Sequence, residues 1–340
     1  MNTQPFFSII IPIYNGISND LSQCLNSIWE QSLDKELYEV ICIDDCSTDN
    51  TRQWLKEQQK THENLFVIEN EQNIRQGASR NKGVKFAKGK YILFIDCDDY
   101  YHKESITRVY EFIKDKNLDI LVTDSAYQFK NYPHNNLQLN LPYKDLCDGE
   151  SFVEKNGFAI APWRLCFSKE FYTKNNIGFV ENTRVEDVDW GVKMMFYAKN
   201  IQYQPILLVH YIKGENGTSD TMYKNIVTLT DNFDAANRVV DIANTLYIKS
   251  KNRQAAISLA DSYYNRTTSY LLGLFSSIRT KKEIIRHINY DKSKFKLVKF
   301  ATKYPTTFAI FSNCTVPIFR IARYVRRKQT AKRLTTKNKV

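Results

Sequence analysis

Four short apolar runs alternate with amphipathic segments along roughly the first hundred residues. Each run carries few polar positions, which is typical of a strand buried on both faces of a sheet. The segments between the runs place apolar residues at helical spacing, as at Leu21, Leu25 and Ile28. This alternation predicts a largely parallel sheet flanked by helices. The runs cover residues 7–13, 38–43, 65–68 and 91–95.

Three of these runs end in polar turns. Tyr14 and Asn15 follow the first run, Asp44 and Asp45 the second, and residues 96–99 the fourth. Ligands of parallel sheets bind at the carboxyl ends of the strands, so we expect the three turns to meet in one crevice. The last turn holds three acids in four residues, which would repel one another without a cation. Oxygen ligands suit Mg²⁺ or Mn²⁺, whereas a solvated acidic turn is the alternative.

Six motif segments follow one another in the chain between residues 6 and about 220. They are 7–15, 43–49, 73–83, 94–99, 161–165 and 185–190. In sequence and order these segments resemble the motifs of family 2 glycosyltransferases. The resemblance implies the A-type nucleotide-sugar fold and, for most members, inversion at the anomeric carbon. Two positions depart from the family pattern: Cys46 stands where glycine is usual, and Arg75 lies near a common glycine.

On the donor side, the resemblance implies that Asp98, assisted by Asp96, holds a divalent cation (Mn²⁺ or Mg²⁺) on the donor diphosphate. Asp96 also counts among the predicted nucleotide-sugar contacts. Asp99 either orients the donor sugar or acceptor, or caps the next helix. Arg75 and Arg80 are candidates to contact the base or the diphosphate, and a structural role is the alternative for each.

The resemblance also implies a nucleotide-base site at the first two strand ends. Asp45 is expected to accept a hydrogen bond from the base imide, which selects uracil or thymine. Pro12 and Tyr14 would flank the base. Asp44 is included in the nucleotide-binding set, although bonding to backbone amides at the turn is its expected task.

The acceptor side is expected around Glu186 and Asp187. Asp187 matches the second acid of the family's Glu-Asp pair and is the predicted catalytic base, with Glu186 raising its pKa. Acids that suit a helix N-terminus are the alternative reading of this segment. Trp163 either stacks on an acceptor sugar or belongs to the core. His210 is a candidate further metal ligand, competing with a polar loop that closes over the donor.

The predicted fold class is therefore α/β, an A-type glycosyltransferase fold with a helical, basic C-terminal extension. We expect a catalytic domain over residues 1–220, with a donor half over about 1–125 and an acceptor half over about 126–220. Apolar stripes predict a helical extension over residues 221–300. Residues 301–340 are predicted to form a basic amphipathic tail on a membrane surface.

Charge is concentrated near the C-terminus. Residues 279–340 contain 18 lysines and arginines against two acids, whereas the whole chain has a net charge of +11. Apolar residues precede the cluster at 326–328, which favours binding to an anionic membrane surface. A solvated tail and nucleic-acid binding are the alternatives, and no nucleic-acid-binding module is recognisable, so no nucleic-acid partner is expected.

Compartment signals favour the cytoplasm. The start of the chain predicts no cleavable signal peptide, and no uncharged apolar run reaches 18 residues. Seven cysteines without framework spacing fit reduced thiols. We therefore expect a peripheral protein on the inner face of the plasma membrane.

The predicted function is transfer of a sugar from a uridine or thymidine diphosphate donor. The acceptor would be a hydroxyl of a growing glycan or glycolipid, such as a lipid-linked capsule or exopolysaccharide chain. One alternative is a nucleotidyltransferase that makes sugar nucleotides, which predicts a Gly-rich basic loop after the first strand; residues 14–18 lack one. The other is an inactive binding subunit, which predicts loss of an acid at Asp98 or Asp187, yet both are present.

Overall fold

A computed structural model describes residues 4–129, 141–213, 226–246, 250–272, 277–288 and 296–313. The chain forms two compact units. The first comprises Met1–Gly217 with Leu246–Ala255, and the second comprises Thr218–Thr245 with Ala256–Val340. Residues 314–340, which include most of the predicted basic tail, lie outside the described residues, and so do the loop positions 214–219.

The first unit is built on a mixed sheet with the strand order β3-β2-β1-β4-β7-β6-β8-β5. β1 pairs in parallel with β2 and β4, and β2 with β3, as expected for these four strands of the largely parallel sheet that the sequence predicts. β7 runs antiparallel to both β4 and β6, while β6 and β8 are parallel. The strands are β1 (Phe7–Ile13), β2 (Tyr38–Asp44), β3 (Leu65–Glu69), β4 (Tyr91–Phe94), β5 (Tyr100–Tyr101), β6 (Ile120–Phe129), β7 (Leu165–Ser168) and β8 (Ile201–Lys213).

Helices cover both faces of this sheet, which is why its central strands are apolar throughout. In β1, Ile9 and Ile11 belong to one hydrophobic cluster, whereas Ile10 belongs to the cluster on the opposite face. The helices of the first unit are α1 (Leu21–Trp29), α2 (Thr51–Gln59), α3 (Arg75–Phe86), α4 (Ser105–Ile113), α5 (Gly149–Asn156), α6 (Lys169–Lys174) and α7 (Asp187–Tyr197).

α3 lies unusually close to β1 because Gly83 has no side chain. A Cβ atom at Gly83 would lie 2.4 Å from Cγ2 of Ile10, a distance that real Cβ contacts essentially never reach. Glycine therefore permits a helix–strand approach that any other residue would prevent. The same helix carries Gln76 and Arg80, whose side chains bond to Asp96 after β4.

The second unit is helical in its described part. Its helices bury mainly apolar side chains, such as Leu229, Phe233 and Val298. Residues 305–313 are also helical. No helix in the described ranges is both long enough and apolar enough to cross a bilayer. The helices are α8 (Ile226–Asn244), α9 (Lys251–Leu272), whose first residues belong to the first unit, α10 (Ile278–Arg286) and α11 (Lys296–Lys303).

Candidate active site

The polar ends of β1 and β2 are joined by hydrogen bonds. The backbone N–H of Asn15 donates to Oγ of Ser47 at 2.9 Å, and the N–H of Thr48 donates to Oδ1 of Asn15 at 2.8 Å. Pro12 is buried at the end of β1, whereas the Tyr14 ring is 46% exposed. The expected neighbourhood of Pro12 and Tyr14 therefore offers a fixed floor and an accessible aromatic face.

Asp44 and Asp45 have different surroundings. Asp44 is fully buried, and its Oδ2 accepts hydrogen bonds from the Arg52 Nε and the Ser47 backbone N–H. The Asp45 carboxylate accepts the backbone N–H groups of Ile74 and Arg75, each at 2.8 Å. Asp44 thus stabilises its own turn, while Asp45 fixes the start of α3.

The two departures from the family pattern both have left-handed backbone conformations. Cys46 has a φ of 63° and Arg75 a φ of 69°. Only glycine adopts this region without steric cost, which otherwise amounts to about 1–2 kcal/mol for an L-residue. This explains why glycine is usual at or near these positions. Arg75 remains partly exposed at the amino end of α3, where backbone N–H groups favour anions.

The acidic turn after β4 separates its carboxylates by exposure. Asp98 is exposed and Asp96 partly exposed, whereas Asp99 is buried. The buried carboxylate of Asp99 accepts the backbone N–H of Ile212 in β8 at 2.8 Å. Burial, followed by the charges of Asp96 and Asp98, raises the pKa of Asp99 well above its ordinary value. Asp99 therefore joins the acidic turn to β8, whereas the residue at the N-cap of the next helix, α4, is Glu104.

The carboxylates at this turn suit a cation that takes most of its ligands from substrate phosphates and few from the protein. In the described part of the chain, no group of three or more His, Cys, Asp or Glu side chains could hold a metal ion. Mg²⁺ is commonly held by one or two carboxylates plus substrate phosphates. Two hydrogen bonds reach Oδ1 of Asp96, and within the described ranges none reaches its Oδ2. Asp96 and Asp98 can therefore supply the protein's share of such a site.

Arg80 is the central cation of the site and is only 2% exposed. Its Nη2 donates to Asp96 Oδ1 at 2.7 Å, and its Nη1 donates to Glu186 Oε1 at 2.8 Å. The guanidinium carbon also lies 5.8 Å from the ring centroid of Phe94 and 5.2 Å from that of Phe179. Arg80 thus links the acidic turn after β4 to the Glu186–Asp187 pair, and it does so from a buried position.

Glu186 approaches α3 closely because Gly77 has no side chain. A Cβ atom at Gly77 would lie 3.0 Å from both Cβ and Cγ of Glu186. Glu186 immediately precedes α7, and Asp187 is the first residue of that helix. The close approach of the start of α7 to α3 therefore fixes the position of Asp187, the first residue of α7.

Asp187 is the carboxylate in this region whose proton affinity suits catalysis. Burial, followed by the charge of Glu186, raises the pKa of Asp187 to about 7, and the nearby Arg80 guanidinium opposes this rise. The side chain keeps partial exposure to solvent. A carboxylate with a pKa near neutrality can both accept and release a proton at working pH.

Trp163 packs in an aromatic cluster. Its ring stacks on Tyr211 with centroids 5.3 Å apart, and Tyr127 approaches both rings edge-on. Trp163 is buried, whereas Tyr211 is partly exposed. In this arrangement the Tyr211 ring is the accessible one, and the buried Trp163 ring stacks against it.

His210 is engaged within the sheet. Its Nε2 lies 2.9 Å from Nδ1 of His102, and its ring stacks on Tyr100 at 4.6 Å. Burial, followed by the charge of His102, lowers the pKa of His210 to about 4, so the ring is neutral near pH 7. One ring nitrogen thus bonds to another histidine, and the other is buried.

Gln76 is a site residue that the sequence patterns did not single out. Its Nε2 donates to Asp96 Oδ1 at 2.6 Å, beside Arg80. Gln76 and Arg80 are four residues apart on α3, and residues at this spacing share a helix face. That spacing was the available signal, since any role for Arg80 at the acidic turn implies a neighbouring role for Gln76.

The chain is similar to known glycosyltransferases in both sequence and structure. The chain is 36% identical over 214 residues to the poly(ribitol-phosphate) beta-glucosyltransferase of Bacillus spizizenii, which covers 62% of this chain and 32% of that relative. The chain thus spans about a third of the length of that relative. In structure it resembles S. aureus TarS 1-349 in complex with UDP-GlcNAc, with a TM-score of 0.67, 21% identity and coverage of 95% and 92% of the two chains.

A more distant structural neighbour is the mannosyltransferase PcManGT of Pyrobaculum calidifontis in complex with GDP-Man and Mn²⁺. The TM-score is 0.54 at 14% identity, with coverage of 92% and 87% of the two chains. Likeness at these identities shows a shared fold. The sequence profile described as Glycosyl transferase family 2 matches residues 8–179, which is half of the chain. With the ordered motifs and the strand-end site, this match shows that the chain belongs to glycosyl transferase family 2.

Proposed function

We propose that this protein transfers a sugar from a UDP-sugar, or a dTDP-sugar, to a hydroxyl of a growing cell-surface polymer. The reaction would depend on a divalent cation and invert the anomeric carbon. The observation that carries this proposal is Arg80, which bonds to Asp96 on the donor side and to Glu186 beside Asp187. One buried guanidinium thereby couples the expected phosphate site to the expected base.

The donor nucleotide would lie at the ends of β1 and β2. Tyr14 would contact the base with its exposed ring, above the buried Pro12. A carboxylate has about four acceptor positions, so Asp45 can bond to the base imide while it holds the amides of residues 74 and 75 and the side-chain amide of Asn70. Asp44 would support this turn, and the partly exposed Arg75 would contact the diphosphate.

Asp98 and Asp96 would hold the cation, which when bound neutralises charge on the departing diphosphate. Gln76 and Arg80 orient Asp96 through its Oδ1, so its other oxygen keeps a fixed direction. We therefore assign Arg80 to positioning, because its Nη1 and Nη2 already bond to Glu186 and Asp96. One structural neighbour of the same fold is a complex with Mn²⁺.

Asp187 would act as the catalytic base. The acceptor hydroxyl gives its proton to the Asp187 carboxylate while its oxygen forms a bond to the anomeric carbon. The bond from that carbon to the diphosphate oxygen breaks on the opposite face, and the diphosphate leaves with the electron pair. Attack opposite to the leaving group inverts the anomeric centre. Burial and the charge of Glu186 raise the pKa of Asp187, and the charge of Arg80 opposes the rise.

The acceptor would be a phosphate-linked polyol or a related wall polysaccharide. This class is supported by the relatives, which include poly(ribitol-phosphate) glycosyltransferases from Bacillus spizizenii and Staphylococcus aureus. Tyr211, supported by Trp163, would present an aromatic face to the acceptor. Asp99 would keep β8, and with it Tyr211, in register with the acidic turn.

The test is nucleotide release by the Asp98→Asn variant of the full chain. With UDP-glucose and UDP-GlcNAc as donors, we expect the wild type to release UDP only when a divalent cation is present. We expect the variant to release UDP about 100-fold more slowly, a loss of about 2.7 kcal/mol in transition-state stabilisation. Asp115→Asn, which neutralises an exposed acid elsewhere, serves as the matched control and keeps wild-type turnover. Full activity of the wild type in excess EDTA would rule out the cation-dependent mechanism.

We also assign the protein to the inner face of the plasma membrane, on the basis of sequence alone. Residues 320–340 hold nine lysines and arginines and no acid. Electrostatic attachment predicts sedimentation with anionic vesicles at 0.1 M salt, where the Debye length is ~10 Å, and release at 1 M, where it is ~3 Å. Equal sedimentation with neutral vesicles would contradict electrostatic attachment.

A further inference from the structure

A large cavity opens at the amino ends of the parallel strands, the edge of the sheet opposite to the candidate active site. It lies where β1 and β2 begin and includes the loops at 61–64 and 87–88; we call it the rear groove. Its volume is 910 Å³, which is in the range of about 300–1,000 Å³ typical of ligand sites. None of the site residues described above lines it.

A fixed carboxylate lies in the rear groove. Glu39 is buried, and its Oε1 accepts three hydrogen bonds, from Ser8 Oγ at 2.6 Å, from the Lys88 backbone N–H at 2.5 Å and from the Gly89 N–H at 3.3 Å. Within the described ranges, no group bonds to its Oε2. This oxygen is a preorganised acceptor for a ligand hydroxyl.

The rear groove also offers an apolar surface. Phe66, on the edge strand β3, is 40% exposed, and Lys88 Nζ lies 5.4 Å from its ring centroid. Such a ring can pack against the carbon chain of a polyol.

The lining of the rear groove carries charges of both signs. A chain that alternates hydroxyls with phosphates can place hydroxyls at the carboxylates and phosphates at the ammonium groups. The charged lining residues are Lys35, Lys88 and Lys169 with Glu36, Glu39 and Glu63.

We propose that the rear groove binds a distal segment of an alditol-phosphate polymer while another segment of that polymer occupies the active site. The choice of ligand rests on the acceptor proposed above. The seven residues of β1 separate the two edges of the sheet by roughly 20 Å. A single alditol-phosphate unit therefore cannot reach both sites, whereas a long chain can. Dual attachment raises apparent affinity without any new contact at the active site.

The experiment compares two acceptors, ribitol 5-phosphate and a poly(ribitol phosphate) of about 20 units, on the full chain. The triple variant Lys35→Gln, Phe66→Ala and Lys88→Gln removes two exposed positive charges and one exposed aromatic ring of the rear groove. We expect its KM for the polymer to rise about tenfold, with kcat and the KM for the single unit unchanged. The control variant Phe86→Ala with Lys90→Gln alters exposed residues outside the groove and should change neither constant.

Other results would overturn the assignment. An unchanged polymer KM, or an equal rise for both acceptors, would show that the rear groove does not bind the polymer. If neither acceptor receives sugar, the proposed acceptor fails, and calorimetric titration with the same polymer then decides separately. Binding that the triple variant loses and the control variant keeps would support the rear groove, whereas no binding by the wild type would refute it.

Discussion

Two buried cations, one in each unit of the chain, have contrasting surroundings. Arg80 in the sheet unit is 2% exposed and bonds to two carboxylates, Asp96 and Glu186. Lys281 in the helical unit is 0% exposed, and in the described part of that unit its Nζ donates to a neutral hydroxyl, Oγ of Ser312, at 2.6 Å. Burial lowers the pKa of Lys281 to about 8, whereas the carboxylates keep the pKa of Arg80 raised despite its burial.

Arg80 is a buried charge that positions residues of the candidate site, whereas Lys281 is a buried charge that we expect to cost stability. Burying an ion costs several kcal/mol, and only well-placed counter-charges recover that free energy. Around Arg80 the recovery is built from three elements, α3, the turn after β4 and the start of α7, and it fixes two acids in defined positions. Among the described residues, the single hydroxyl that bonds to Lys281 offers little recovery, so we expect this lysine to lower the stability of its unit.

The largest expected effect is catalytic and lies beside the paired cation. Asp187→Asn removes the proposed base and should lower transfer by about 10²–10⁴-fold, because no group then accepts the proton of the hydroxyl. UDP affinity, measured by calorimetric titration, should stay near that of the wild type, since the residue acts on the acceptor. A large loss of UDP affinity would instead place Asp187 at the donor.

The next effect is on stability at the paired cation itself. Arg80→Met leaves the buried Glu186 and the partly buried Asp96 without a counter-charge, so urea unfolding at pH 7 should show a loss of about 3–5 kcal/mol. Adding Glu186→Gln to Arg80→Met should recover part of this loss, because one uncompensated buried charge disappears. A single variant as stable as the wild type would show that the two ion pairs do not stabilise the sheet unit.

The same substitution at the other cation should have the opposite sign. Lys281→Met keeps the length of the side chain and removes a buried charge, so unfolding at pH 7 should require about 1–3 kcal/mol more. The folded pKa of about 8 lies below the ordinary lysine value, so the wild type gains stability as pH rises from about 8 to about 10. The advantage of the variant should therefore shrink over that interval. A lower stability of Lys281→Met at pH 7 would refute the contrast between the two cations.

Sequence patterns predicted the parallel half of the sheet well and the remainder less well. The runs at 7–13, 38–43, 65–68 and 91–95 became β1 to β4, because strands buried on both faces need uninterrupted apolar residues. The short β7 and the long β6, whose register shifts between Val122 and Ser125, carry no comparable pattern. Their antiparallel pairing beside β4 depends on neighbours that are distant in sequence.

The sequence by itself determined the family, the α/β class and the polar strand ends, because ordered motifs and apolar periodicity are local properties of the chain. Only the tertiary structure decided how Arg80 is used. The sequence left it among the candidate nucleotide contacts, yet it pairs with Glu186, 106 residues further along the chain. That pairing, and the pKa of about 7 for Asp187, depend on α3 and α7 meeting at a glycine and on the exclusion of water there. Burial and long-range charge arise only when distant segments pack together, which is why no local pattern could predict them.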